Sequence, residues 1–140
     1  ESCTGGAIGA AITAISGSSG YYLGGAVTYA NSEKHNMLSV PMDLLEGPDA
    51  PGAVSEPVAR AMAQSIQTRT GATWAVSCTG IAGPTSDDSA KPVGLVYIGL
   101  AGPDGVAVSE NHFHGGRTAV RQRTVMTALD TLRRKLLARQ

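Results

Sequence analysis

Charge of either sign is scarce in this sequence. Charged residues make up 16% of the 140 positions, against about 25% in an average soluble domain. Lys+Arg and Asp+Glu are equal at 11 each, so the formal net charge is zero. Proteins that bind nucleic acid through its phosphates carry a basic surface, so this balance argues against a nucleic-acid partner. With 42% hydrophobic residues, the composition also excludes a disordered chain.

Long apolar runs and cysteine pairs are missing as well. No stretch approaches the roughly 20 apolar residues of a membrane-spanning helix, so we expect no membrane partner. No secretory signal is visible at the start of the printed chain. Cys3 and Cys78 form neither a CxxC pair nor a Cys/His zinc spacing. Free thiols in a reducing cytoplasm are the simplest interpretation.

Aromatic residues are only 4% of the chain, whereas glycine occurs 18 times. The core must therefore consist of Ala, Val, Leu and Ile, and small residues favour close packing of helices on a sheet. A length of 140 residues fits one domain, since domains cluster near roughly 100–150 residues. We therefore treat residues 1–140 as a single domain.

The periodicity of the apolar residues predicts alternating helices and strands. Helices are expected over 7–15, from 31, over 55–70 and over 117–138. Strands are expected over 24–29, 74–79, 93–100 and 106–113, the last two joined by a hairpin turn. Residues 41–53 are expected to form a loop around one helical turn, and 80–92 a long polar loop. This order predicts an α/β fold in which helices pack in layers on a mixed β-sheet.

Four polar, glycine-rich segments lie where these elements end: 2–6, 17–20, 28–34 and 79–84. Ligands of α/β proteins bind at such ends. The first segment precedes a helix, so its backbone amides predict either an anion cradle or an ordinary helix cap. The second, with Ser18 and Ser19, is either a turn or the carrier of a serine nucleophile, which would need a base.

Lys34 is the candidate base. It falls in the first turn of a predicted helix, where the helix dipole disfavours its positive charge, and burial would lower its pKa further. A neutral amine is what a serine–lysine pair requires, although a solvated lysine is the alternative. Thr79 and Gly80 follow a strand and either hold a substrate oxygen or end the strand in a turn. Arg117 either clamps a phosphate or lies on the surface.

The order and spacing of these motifs resemble one family. The matching stretches are ESCTGG at 1–6, GSS at 17–19, VTY at 27–29 with Asn31 and Lys34, GAVSE at 52–56, TGIAGP at 79–84 and KPVG at 91–94. They resemble the C-terminal domain of the competence/damage-inducible protein CinA, which also occurs alone as the nicotinamide mononucleotide deamidase PncC. The resemblance covers nearly the whole chain.

The resemblance implies an α/β amidohydrolase that converts nicotinamide mononucleotide into nicotinate mononucleotide and ammonia, in the cytoplasm, as a homo-oligomer. It implies no metal and no organic cofactor. By the family pattern, Ser19 corresponds to the nucleophile, Lys34 to its base and Ser2 to a serine that relays the proton. The positions expected to bind the substrate are Thr4, Gly5, Gly6, Tyr29, Thr79, Gly80 and Arg117.

Two features depart from the family pattern. The family domain normally carries a helix and a strand ahead of the ESC motif, and the printed chain begins at that motif. The loop after Pro84 reads TSDDSA where the family is rich in glycine, which we expect to alter access to the site. Two other functions stay open: a non-catalytic nucleotide-binding or partner module, and, less favoured, a thiol enzyme using Cys78 or Cys3.

Overall fold

The computed structural model describes residues 1–86 and 90–139. Its helices and strands, in chain order, are α1 (Ala7–Thr13), α2 (Asn31–Leu38), α3 (Met42–Leu45), α4 (Glu56–Thr70), β1 (Ala75–Gly80), β2 (Leu95–Gly102), β3 (Gly105–His112) and α5 (Arg117–Leu137). A 3-10 turn over Ser18–Gly20 follows α1. Helices packed on a sheet confirm the predicted α/β class. No helix within the described ranges combines the length and the apolarity that crossing a bilayer demands.

The long helices begin and end where the sequence predicted. Pro57 lies in the first turn of α4, where its missing N–H costs no hydrogen bond. The helix ends at Gly71, whose φ of 68° is left-handed and suits glycine. Helix α5 starts directly after Gly116 and runs over five turns.

The sheet of the described residues has three strands in the order β1-β2-β3, and both pairings are antiparallel. Cys78 of β1 lies opposite Ile98 of β2, and Ala101 lies opposite Val106 across the β2–β3 hairpin. The sheet is thus antiparallel and not mixed, because the segment that was expected to add a further strand is not part of it.

That segment is 24–29, and the prediction of a strand there is wrong. Residues 22–29 have no regular secondary structure. Two main-chain hydrogen bonds join this segment to Glu1: the Thr28 N–H donates to the Glu1 carbonyl at 2.8 Å, and the Glu1 amino group donates to the Ala26 carbonyl at 2.7 Å. An apolar groove of about 1170 Å³ is lined by residues 20–26 and by 70–77, which include the start of β1. Without an adjacent strand, an extended segment forms no ladder.

The sheet is covered by helices on both faces. On one face the Ser77 hydroxyl donates to the Ala59 carbonyl of α4 at 2.6 Å. On the other face Cys78 belongs to the main hydrophobic core, together with Ile8 of α1 and Val120 of α5. Helix α4 approaches the sheet closely because Gly99 has no side chain: a Cβ there would lie 2.7 Å from the Ala59 carbonyl oxygen.

A second hydrophobic cluster holds α2 and α3 against α4. Its buried members are Leu38, Val40, Leu45, Val58 and Met62. Burying a side chain of this size contributes about 1.5–3 kcal/mol. The cluster therefore fixes the position of α2, the helix that carries Lys34.

Candidate functional site

Lys34 lies in the first turn of α2, as predicted, and it is 1% exposed. A lysine is almost never buried without partners, because its charged form loses hydration. Its Nζ lies 3.2 Å from Ser2 Oγ, 2.9 Å from the Thr28 carbonyl oxygen and 3.1 Å from the Tyr29 carbonyl oxygen. Within residues 1–86 and 90–139, no carboxylate forms a salt bridge with it.

Burial lowers the pKa of the Lys34 amine, and the nearby Cys3 and Cys78 offset part of that effect. The predicted direction of the shift is confirmed, with burial as its main cause. The amine donates all three hydrogen bonds: two to the carbonyls of Thr28 and Tyr29, which can only accept, and one to the hydroxyl of Ser2. When the amine loses a proton, the two carbonyls keep the remaining N–H groups, and the lone pair faces the hydroxyl of Ser2, which can then donate to it.

Ser2 is 8% exposed and opens the turn that leads into α1. Its carbonyl accepts from the Gly5 N–H at 2.9 Å, and the Thr4 carbonyl accepts from the Ala7 N–H at 3.2 Å. Gly5 and Gly6 have φ values of 59° and 98°, which favour glycine. The two glycines thus allow the tight turn that places Ser2 beside α2.

The expected anion cradle at 2–6 is largely occupied by the protein itself. The Glu1 carboxylate accepts from the Ile8 N–H at 2.9 Å and from the Gly9 N–H at 2.8 Å, so amides of the first turn of α1 already have an anionic partner. Thr4 is 0% exposed, and its hydroxyl donates to Glu1. In this arrangement neither that hydroxyl nor those amides are open to a ligand.

Arg117 and Tyr29 meet at the surface next to Lys34. The Arg117 guanidinium donates to the Tyr29 hydroxyl at 3.0 Å and to the Gly83 carbonyl at 2.9 Å. The Tyr29 side chain is 58% exposed, while its carbonyl accepts from Lys34. A cation and an exposed aromatic ring therefore lie together at the surface, on the residue whose carbonyl accepts from the buried amine.

Ser19 is not brought to Lys34. It lies in the exposed 3-10 turn, and its hydroxyl has no hydrogen-bond partner among the residues that the structure describes. The neighbouring Ser18 is buried. The serine in contact with the amine is Ser2, which the family pattern gave the role of relay.

Thr79 and Gly80 take part in packing. Thr79 is 1% exposed, and its hydroxyl donates to the Ala53 carbonyl at 2.8 Å. A Cβ on Gly80 would lie 2.6 Å from a methyl of Val96, so glycine is needed there for close packing. The loop after Pro84, whose composition was expected to alter access, includes residues 87–89, which lie outside the described part.

Sequence reasoning missed the groups that act through their main chain. The carbonyls of Thr28 and Gly83 could not be predicted, because every residue type carries a main-chain carbonyl. Both residues nevertheless lie in the polar segments 28–34 and 79–84. Arg121, which donates to the Thr4 carbonyl at 2.9 Å, had a findable signal: it follows Arg117 by one helical turn and so shares its face of α5. In the ranges 1–86 and 90–139, no three His, Cys, Asp or Glu side chains cluster as metal ligands.

Comparison with known proteins places this geometry in a family. The profile of the CinA C-terminal domain matches residues 1–136. A CinA-like protein of Parasynechococcus marenigrum is 49% identical over 140 residues, which cover 99% of this chain and 33% of that protein. A CinA-like protein of Trichormus variabilis is 51% identical over 143 residues, again 99% of this chain and 33% of the relative. The chain thus spans about a third of the length of these relatives.

Solved structures of competence/damage-inducible proteins have the same fold as this chain. The competence/damage inducible protein CihA from Agrobacterium tumefaciens superposes with a TM-score of 0.87 and 44% identity, covering 94% of this chain and 79% of that one. The competence damage-inducible protein A from Klebsiella pneumoniae superposes with a TM-score of 0.92 and 31% identity, covering 99% and 84%. By profile, sequence and structure, the chain belongs to the CinA C-terminal domain family.

Proposed function

We propose that this domain is an amidohydrolase that converts nicotinamide mononucleotide into nicotinate mononucleotide and ammonia. The observation that carries the proposal is the buried Lys34 amine, 3.2 Å from the hydroxyl of Ser2 and without a carboxylate partner in the described chain. Burying a lysine without a carboxylate partner costs stability, whereas a general base gains from the lowered pKa.

The reaction follows from the two side chains. The oxygen of Ser2 attacks the amide carbon while neutral Lys34 takes the proton of the Ser2 hydroxyl. The ammonium that results faces the oxyanion that develops on the substrate. The ammonium then gives its proton to the leaving nitrogen, the C–N bond breaks, and ammonia departs. Water, activated by the again neutral Lys34, cleaves the acyl-serine ester and releases the carboxylate. No cofactor is required.

Arg117 and Tyr29 give the site a fit to an anionic pyridine nucleotide. The guanidinium of Arg117 is suited to a bidentate contact with a phosphate, and the exposed ring of Tyr29 is suited to stacking with an aromatic base. The two side chains are hydrogen-bonded to each other, and the Tyr29 carbonyl accepts from Lys34. As the assembly state of the domain, we propose the homo-oligomer that the family resemblance implies.

The test is release of ammonia from nicotinamide mononucleotide by the purified protein and by three matched serine variants. Ser2→Ala should lower kcat at least about 1000-fold, the scale of losing a nucleophile. Ser19→Ala and Ser18→Ala should keep kcat within about threefold. The opposite pattern, with loss only in Ser19→Ala, would assign the attack to Ser19, as the family pattern implies.

The non-catalytic alternative has a distinct outcome. If the parent protein releases no ammonia but binds nicotinamide mononucleotide in calorimetry, the domain is a binding module and the proposal is wrong. Addition of EDTA provides the control for cofactors, since the proposed reaction should run at the same rate after metal removal.

A further inference from the structure

Thr4 lies at the centre of a buried polar chain beneath Ser2. Its Oγ1 is 2.5 Å from the Glu1 carboxylate on one side and 3.1 Å from the sulfur of Cys78 on the other. Thr4 and Cys78 are both 0% exposed. The reaction proposed above uses none of these three side chains.

The direction of the protons in this chain is determined by Glu1. Its carboxylate accepts N–H groups from Ile8 and Gly9, so it acts as an acceptor. The single proton of the Thr4 hydroxyl therefore points to Glu1. The contact between Thr4 and Cys78 then requires the thiol of Cys78 to donate.

The hydrogen bonds of Thr4 connect it to three elements, α1, β1 and α5. Glu1 ties Thr4 to the first turn of α1, and Cys78 ties it to β1, where Cys78 is paired with Ile98. Arg121 adds α5, because its guanidinium donates to the Thr4 carbonyl at 2.9 Å. Ser2 lies two residues ahead of this anchor, in the same turn. Its side chain has a single hydrogen bond in the described chain, to Lys34.

We propose that Thr4 is a positioning residue, whose hydroxyl anchors the turn so that the oxygen of Ser2 is held at the amine of Lys34, and that it is not a ligand of the substrate. The proposal rests on the proposed function for its kinetic readout. The geometry of Ser2 and Lys34 gives a second readout that does not depend on the substrate.

The decisive variant is Thr4→Val, which keeps the shape of the side chain and removes the hydroxyl. Thr4→Ser restores the hydroxyl and serves as the conservative rescue. The matched control is Thr124→Val, since Thr124 is also 0% exposed and donates its hydroxyl only to the main chain of α5, at Val120. All three substitutions are made in this 140-residue chain.

Thr4→Val should lower kcat by about 10- to 100-fold, the scale of a displaced catalytic group, and leave KM within about twofold. Thr4→Ser should recover most of kcat, and Thr124→Val should resemble the parent. In crystal structures, Ser2 Oγ should lie beyond hydrogen-bond distance of Lys34 Nζ in Thr4→Val only. An unchanged kcat and Ser2–Lys34 distance in Thr4→Val, or a rise in KM alone, would overturn the proposal.

Two further outcomes are separable. If the parent protein is inactive, the proposed function fails, and the Ser2–Lys34 distance in the Thr4→Val crystal decides the positioning role alone. If Thr4→Val does not fold, Thr4→Ala takes its place, because it also removes the hydroxyl that contacts Glu1 and Cys78. The same two measurements then apply, and a Thr4→Ala protein with parental kcat and geometry would overturn the proposal.

Discussion

Lys34 and Ser2 are 32 positions apart in sequence, yet the amine of one lies 3.2 Å from the hydroxyl of the other inside the fold. The contact joins α2 to the turn ahead of α1. Two main-chain carbonyls take the remaining positions around the amine, so Ser2 is the only side chain among its hydrogen-bond partners in the described residues. The direction of the hydrogen bond between Lys34 and Ser2 therefore depends on the protonation state of the Lys34 amine.

The first prediction concerns the pH dependence of the rate. In the proposed reaction the neutral amine of Lys34 is the base, and burial lowers its pKa below the ordinary value of 10.5. The rate constant kcat should therefore rise with pH and reach its plateau below 10.5. Steady-state ammonia release measured between pH 5 and pH 10 tests this. Lys34→Arg, whose guanidinium stays charged, should lose activity at every pH. A rate that does not change over this range would contradict the role of the amine.

The second prediction concerns stability. Between the lowered pKa of the folded state and 10.5, the unfolded chain binds more protons, so the free energy of unfolding rises with pH. Below the lowered pKa, the full cost of burying the charged amine remains. Lys34→Met removes that cost, so the variant should be more stable than the parent at pH 6, by a margin that shrinks toward pH 10.

Urea unfolding of both proteins at pH 6, 8 and 10 measures that margin. The control is Lys135→Met, which removes an exposed lysine from α5 and should give a difference that is the same at all three pH values. A margin for Lys34→Met that is also constant with pH would show that the amine is not desolvated.

The sequence was sufficient for elements that are determined locally. The start of α4, with Pro57 in its first turn, and its end at Gly71 follow from backbone chemistry, and so does the position of Lys34 in a first helical turn. Residues 24–29 have the composition of a strand, but a strand forms only beside another strand. The periodicity of a segment does not predict whether such a partner lies next to it.

The site was predictable in type but not in partners. A contact between Lys34 and a serine was expected from its segment, whereas the contact with Ser2 and not with Ser19 depends on a turn made by Gly5 and Gly6. The hydroxyls of Thr4 and Thr79 are directed at protein groups because both residues are buried. Burial of an individual polar side chain is a tertiary property that no local spacing encodes.

The third prediction assigns the phosphate to Arg117. Charge-assisted hydrogen bonds contribute about 1.5–3 kcal/mol, so Arg117→Ala should raise KM for nicotinamide mononucleotide by about 10- to 150-fold. Nicotinamide riboside, which has no phosphate, should show little change in KM. Tyr29→Phe, which removes only the hydroxyl that Arg117 contacts, is the matched variant and should have a smaller effect. Equal losses for both substrates in Arg117→Ala would exclude a phosphate contact.

The fourth prediction concerns the thiols. Cys3 is 4% exposed and Cys78 is 0% exposed. The hydrogen bond between the two raises the pKa of the Cys3 thiol and lowers the pKa of Cys78 to about 6, so burial is what protects Cys78 from alkylation. Iodoacetamide should therefore leave the folded protein unmodified and fully active, and both cysteines should be alkylated in 8 M urea. Mass spectrometry counts the adducts under each condition. Inactivation that parallels alkylation of the native protein would favour a thiol enzyme instead.

The fifth prediction concerns Gly94, which precedes β2 and joins two segments of the sheet end. Its N–H donates to the Ile81 carbonyl at 2.7 Å, and its carbonyl accepts from the Phe113 N–H at 2.9 Å. Its φ is 93°, and a Cβ there would lie 2.0 Å from the Phe113 carbonyl oxygen. Gly94→Ala should therefore lower the free energy of unfolding by at least about 2 kcal/mol, because strain and overlap add.

Urea unfolding measures this against Gly20→Ala, where a Cβ meets nothing within 4 Å and the change should stay within about 0.5 kcal/mol. Equal stability of the two variants would mean that β2 begins in a different backbone arrangement.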